Sequence, residues 1–109
     1  MKRGEIWIVA GPSDYAGKPR PAGIVQDDRF DTAESLTVCP LTTDPTPGPL
    51  ARLLVEPTEA NGLRVTSWVM ADKLTTIAKA KFDRRIGRLD DETMLRLNRA
   101  MLVFLGLAG

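Results

Sequence analysis

Arg84-Arg85-Ile86-Gly87-Arg88-Leu89-Asp90-Asp91-Glu92-Thr93-Met94-Leu95-Arg96-Leu97 is the stretch in which the periodicity of this chain changes. Up to Leu89 the apolar residues come in short runs separated by Pro- and Gly-containing turns. Beyond it they recur at helical spacing. Asp90 suits an N-cap, where its carboxylate can accept from an unpaired first-turn N–H. Asp91 and Glu92 favour the positive end of a helix, and Leu89 can staple onto Met94. The helix so started presents Met94, Leu97, Met101, Leu102 and Leu105, with Leu95 and Phe104 to one side. From Met101 to Leu107 only Gly106 is not apolar. An end this apolar requires a cover, either the rest of the fold or a partner chain.

Working back from that point, the chain reads as strands. Glu5 to Val9 alternates, with Trp7 and Val9 on one side and Ile6 and Ile8 on the other. A loop over Ala10 to Lys18 leads to a second strand, Pro21 to Val25. The turn Asp27 to Asp31 follows, then a third strand, Ser35 to Leu41. Asp44-Pro45-Thr46-Pro47-Gly48-Pro49 is an extended loop, because its prolines remove donors and lock φ. Ala51 to Val55 is a fourth strand. The turn Glu56 to Gly62 ends in Asn61-Gly62, a pair suited to left-handed backbone angles. Arg64 to Met70 is a fifth strand, Lys73 to Ile77 is short and extended, and Arg84 to Leu89 is one more strand. The expected fold is mainly β with a C-terminal helix, a small SH3-like β-barrel formed by a single domain over residues 1–109.

Composition narrows the chemistry. The chain has 109 residues, 43% of them apolar, and a net charge of +1. It contains no histidine and one cysteine, Cys39. The usual general base, the Ser-His-Asp triad and a structural zinc site are therefore out of reach. No metal and no cofactor is expected, and catalysis would have to use Arg, Lys, Asp, Glu, Thr, Ser or Tyr. Cys39 stands among Leu36, Val38 and Leu41 and reads as a buried structural thiol. Trp7 and Trp68 lie on strands among apolar neighbours and read as core. No apolar run approaches the ~20 residues that span a bilayer, and no signal peptide is evident, so a cytoplasmic protein without membrane contact is expected. Between Lys73 and Arg99, eight basic residues stand against Asp83, Asp90, Asp91 and Glu92. That segment is either a solvated surface or an RNA-facing patch. The Lys79-Ala80-Lys81 pair reads as solvated.

Lys18-Pro19-Arg20-Pro21 carries the sharpest chemical signal. Two prolines stiffen the backbone around one arginine at the start of a strand. The guanidinium is a planar fork of donors whose charge does not titrate away, suited to a phosphate. The next strand ends Val38-Cys39-Pro40-Leu41 and releases the hydroxyls of Thr42 and Thr43. Metal-free RNA cleavage needs such groups. A ribose 2′-hydroxyl attacks the adjacent phosphorus, the 5′-oxygen leaves, and the enzyme stabilises a phosphorane while protons move. Arg20 also reads as a surface cation paired with Asp27 or Asp28. Thr42 also reads as a turn residue bonded to local backbone.

Taken in order, these segments resemble the MazF/PemK/Kid family of toxin endoribonucleases. The matching pieces are Lys2-Arg3-Gly4-Glu5-Ile6-Trp7, Arg20-Pro21 before an apolar strand and Leu41-Thr42 after the next. Ser67-Trp68-Val69-Met70, Leu74-Thr75-Thr76-Ile77 and Ile86-Gly87-Arg88-Leu89-Asp90-Asp91-Glu92 complete the set. The resemblance implies a sequence-specific, metal-independent endoribonuclease that cuts single-stranded mRNA, leaves a cyclic phosphate and a 5′-hydroxyl, and arrests translation and growth. By position it makes Arg20 and Thr42 the catalytic pair. It further implies a two-fold homodimer with RNA across the junction, and a cognate, MazE-like antitoxin whose disordered tail folds onto the RNA groove.

Arginine is a poor base at its ordinary pKa, so a water or a carboxylate such as Asp27 or Asp72 is expected to assist proton transfer. Substrate choice is expected from Tyr15 and Lys18 in the first loop, Gln26 beyond the second strand, and the loop Asp44 to Pro49, by stacking and edge hydrogen bonds. Thr43 is a neighbour able to stand in for Thr42. Two alternatives remain at this level. CcdB-like gyrase poisons share the small barrel without being nucleases, but act through a Trp-Gly-Ile-type ending that Leu105-Gly106-Leu107-Ala108-Gly109 lacks. An inactive paralogue that binds antitoxin or RNA is the other.

Overall fold

The computed structural model describes residues 1–10, 18–45 and 50–108. Seven strands and one helix are formed among these residues: β1 Glu5–Val9, β2 Arg20–Ile24, β3 Ser35–Thr42, β4 Arg52–Val55, β5 Ser67–Met70, β6 Thr75–Ala78, β7 Phe82–Arg88 and α1 Asp91–Phe104. All pairings are antiparallel and run β4-β5-β3-β2-β1-β7, with β6 added alongside β3. The result is a curled, barrel-like sheet that does not close.

β3 is the hub, and its length follows from its partners. Ser35 to Val38 pair with β6, and Leu41 and Thr42 pair with β5. Pro40, which has no N–H to give, falls in the gap between those two ladders. Its side chains serve two cores by simple alternation. Leu36 and Val38 join Val9, Ala22, Ile24, Ile77 and Phe82 on one face. Cys39 and Leu41 join Ile6, Val69, Leu89, Met94 and Leu97 on the other, beneath α1.

The helix starts where expected. Asp90 accepts from the Thr93 N–H at 2.7 Å, and both Leu89 and Met94 are buried in the same core. Its far end differs from the expected stripe. Met94, Leu97 and Ala100 are buried and Met101 packs against the core, whereas Leu95, Leu102, Val103, Phe104 and Leu105 are exposed. The apolar arc is wider than the sheet face available to it. The helix stops in a Schellman turn at Gly106, whose φ is +73°. There the Gly106 N–H donates to Val103 O and the Leu107 N–H donates to Leu102 O.

β5 is shorter than the Arg64 to Met70 run suggests. The Asn61 side chain, buried, takes over the preceding segment. Its Oδ1 accepts from the Thr58 and Leu63 N–H groups, and its Nδ2 donates to Glu56 O. The chain then bends until Ser67, leaving Val65 55% exposed. Gly62, at φ +69°, and Gly87 let this turn lie on β7. A Cβ on Gly87 would stand 2.4 Å from Ala60 O.

Arg3 ties the amino-terminal segment to the rest. Its Nε donates to Val25 O at 2.9 Å, its Nη2 donates to Asn98 on α1, and its backbone N–H donates to Asp28 at 2.6 Å.

Candidate active site

Arg20 opens β2 and Thr42 closes β3, and these two strands pair. Ala22 faces Pro40, Gly23 faces Cys39 and Ile24 faces Val38. The same register, carried two residues further, sets Arg20 against Thr42 at one open end of the sheet. Thr42 in turn faces Trp68 on β5, and Trp68 faces Leu54 on β4. Directly opposed residues present their side chains on the same face. Arg20, Thr42, Trp68 and Leu54 therefore form one row across four strands, on the face away from α1. All four are partly exposed or exposed.

Arg20 is half-buried, with its Nε withdrawn from solvent. Beside it on β1 stands Val9, its cross-strand partner. Thr42 Oγ1 accepts from the Asp44 backbone N–H at 3.1 Å. This is the local turn bond that Thr-Thr-Asp-Pro suggests. It uses the oxygen as acceptor and leaves the hydroxyl hydrogen to donate elsewhere. The row thus sets a guanidinium and a hydroxyl, both partly exposed, on one face of the sheet.

The remaining expected site residues are not all brought here. Lys18 is exposed two residues ahead of Arg20. Thr43 is exposed and lines a cleft of about 450 Å³ with Pro21, Arg64, Ser67 and Arg84. Tyr15 lies outside the described residues, as do residues 46–49 of the Asp44 to Pro49 loop. Gln26 and Asp27 follow the opposite end of β2, four strand steps or roughly 13 Å from Arg20 at ~3.3 Å per residue. There the Gln26 amide bridges the Thr37 N–H and Phe30 O. Asp27 caps the 3₁₀ turn Asp28–Phe30 and holds Arg29. Bonds to the Arg29 N–H and guanidinium keep the Asp27 carboxyl below its usual range. Asp72 is occupied by Arg52, through contacts of 3.3 and 3.2 Å. Neither carboxylate stands in the Arg20–Thr42 row of this chain; each is held by a neighbouring arginine.

Among the described residues, three of the eight basic side chains of this segment form ion pairs. Arg84 pairs with Asp83, Arg85 with Glu5 and Arg88 with Asp91. Lys79, expected to be solvated, donates to Asp31 O. No cluster of three or more His, Cys, Asp or Glu side chains occurs among the described residues.

Of the two tryptophans, Trp7 packs as expected against the core, edge-on to Phe82 at 6.2 Å. Trp68 does not. It belongs to neither core and sits partly exposed in the row beside Thr42. Its strand position gave no hint of this, because both faces of β5 read as apolar.

Comparison with known proteins agrees along the whole chain. Residues 2–105 match the family described as PemK-like, MazF-like toxins of type II toxin–antitoxin systems. The chain is 50% identical to the "Probable endoribonuclease MazF" of Mycolicibacterium smegmatis over 109 residues, covering all of both chains. The Mycobacterium tuberculosis toxin MazF-mt6 superposes with a TM-score of 0.79 at 27% identity, with 94% of this chain and 96% of that one covered. A mycobacterial endoribonuclease solved in complex with its cognate antitoxin has the same fold, with a TM-score of 0.82 at 23% identity, covering 100% of this chain and 98% of that one. The chain belongs to the PemK-like, MazF-like family of type II toxin–antitoxin toxins.

Proposed function

We propose that this chain is the toxin of a type II toxin–antitoxin pair, a metal-independent endoribonuclease that cuts single-stranded RNA in the cytoplasm. The observation that carries the reading is the end-to-end identity of 50% with a relative named as an endoribonuclease. The alignment of Arg20 with Thr42 supplies a chemistry for it. The relatives' names favour the nuclease over the gyrase-poison alternative.

In the reaction the ribose 2′-oxygen bonds to phosphorus, the bond from phosphorus to the 5′-oxygen breaks, and the 2′ proton passes to solvent while the 5′-oxygen gains one. The products are a 2′,3′-cyclic phosphate and a 5′-hydroxyl. Arg20 forks onto the non-bridging oxygens as charge builds on the phosphorane. Thr42 donates its hydroxyl hydrogen to one of them. Lys18 and Thr43 lie close enough in sequence to contact flanking nucleotides. The single domain acts as a homodimer, with the exposed Leu102 to Leu107 end of the chain as the covered surface. A MazE-like antitoxin with an acidic, flexible tail neutralises the Arg20 end of the sheet.

Incubation of the purified protein with a long RNA in EDTA, followed by mapping of both new ends, tests this. Cutting at a recurrent short motif with a cyclic phosphate and a 5′-hydroxyl is expected. Intact RNA, or cutting only when divalent ions are restored, contradicts it.

A further inference from the structure

We propose that Trp68 is a stacking platform for the nucleobase next to the scissile phosphate, an inference that rests on the endoribonuclease reading above. The two tryptophans differ in a telling way. The Trp7 indole N–H donates to Glu5 Oε1 at 3.0 Å and its ring packs on Phe82. Trp68 joins neither hydrophobic core, and among the described residues no ring packs on it and no acceptor meets its indole N–H. Large aromatic side chains usually contribute by burial, with the N–H satisfied. A partly exposed indole outside both cores, with its N–H given to no acceptor among the described residues, forgoes part of the first contribution and all of the second.

Its position supplies the reason. Trp68 stands directly opposite Thr42, so the two Cβ atoms are about 5 Å apart. Arg20 lies on the other side of Thr42 in the same row. A phosphate held by Arg20 and Thr42 carries its ribose and base outward from the sheet. The indole is the neighbouring flat, apolar surface on that face, extended by Leu54, which is 48% exposed. Single-stranded RNA is held in this way, with splayed bases laid on aromatic faces beside cations that track the backbone. Stacking of this kind tolerates any base, so Trp68 would strengthen and orient binding while neighbouring polar groups read base edges.

The test combines protein and RNA changes. Short RNA substrates carrying an abasic ribose at each position flanking the cut are compared with intact RNA, using wild type, Trp68→Ala, Trp68→Leu and Trp68→Phe. With wild type, one abasic position should lower kcat/KM roughly 10- to 100-fold, the range for losing one base stack. Trp68→Ala and Trp68→Leu should show that loss on intact RNA, mainly through KM, and no additional loss at that position. Trp68→Phe should retain most of the wild-type sensitivity. The Leu and Phe variants carry the test even if the Ala variant folds poorly, because both remain large and apolar. A Leu variant with the wild-type abasic profile overturns the proposal. So does a Trp68 variant that becomes monomeric, since a second copy would then be the group covering the ring. Wild-type protein that cuts no RNA overturns the endoribonuclease reading itself, and this inference with it.

Discussion

The Asp44 backbone N–H donates to Thr42 Oγ1 at 3.1 Å, which holds the hydroxyl oxygen of the residue that ends β3, while no backbone carbonyl among the described residues takes its hydrogen. A hydroxyl held in this way can still donate to a group lying over the sheet. Thr42→Ser keeps both functions and should retain most cleavage. Thr42→Val keeps the shape and removes the donor, and should lower kcat by roughly 2- to 10-fold, as loss of one neutral hydrogen bond of ~0.5–1.5 kcal/mol implies. Single-turnover cleavage rates of the two variants distinguish these outcomes.

Asn61 holds the segment between β4 and β5 through three side-chain hydrogen bonds. Asn61→Ala removes three bonds to partly buried backbone groups and should cost about 1–3 kcal/mol. Gly87→Ala should be comparably harmful, since its new Cβ would meet the backbone of Ala60 and Asn61. Urea midpoints read both effects. The folded fraction of each variant should still cut RNA, because neither residue stands in the Arg20 row.

How much of this was legible in the sequence depends on whether the deciding interaction is local. Asp90, Leu89 and Met94 announce the helix because a cap and a staple act within five residues. The strands of β1, β2 and β3 follow from alternation, with ends shifted by a residue or so. β5 was over-read because Arg64-Val65-Thr66 alternates like a strand, while the Asn61 side chain, a few residues earlier, bends the chain instead. Arg20 and Thr42 are legible as a pair only through the strand order, and the family resemblance supplied that. Gln26 and Asp27 are close to Arg20 in sequence but lie beyond the other end of β2, a separation that only the strand geometry reveals. Trp68 was read as core since nothing local tells which face of an apolar strand stays open.

Cys39 is fully buried, and burial pushes its thiol up to about 12. It should resist iodoacetamide in the native protein at pH 8 and react at once in urea, which mass spectrometry reads directly. The linkage has a definite sign. The neutral thiol is favoured by folding, so its contribution is fully present below the unfolded thiol pKa of ~8.5 and is lost as pH rises from there toward 12. Thermal midpoints should therefore decline across that alkaline window, and Cys39→Ala should flatten the decline.

Val103 and Phe104 are exposed on the last turn of α1. If this end is the homodimer surface, Val103→Ser with Phe104→Ser should shift sedimentation from dimer to monomer with little change in helix content. A wild-type protein that sediments as a monomer at micromolar concentration would place the covering partner elsewhere.

The measurement that bears most directly on the mechanism is the cleavage rate of Arg20→Ala and Arg20→Lys in EDTA, beside wild type and with fold verified by circular dichroism. Removing one well-placed charge donor commonly lowers rate by ~10²–10³, so Arg20→Ala should lose activity on that scale. Arg20→Lys should recover little, because a point charge cannot reproduce the guanidinium fork. Wild type should be indifferent to chelation. An Arg20→Ala protein that cuts at the wild-type rate, or a wild-type protein silenced by EDTA, would contradict the account.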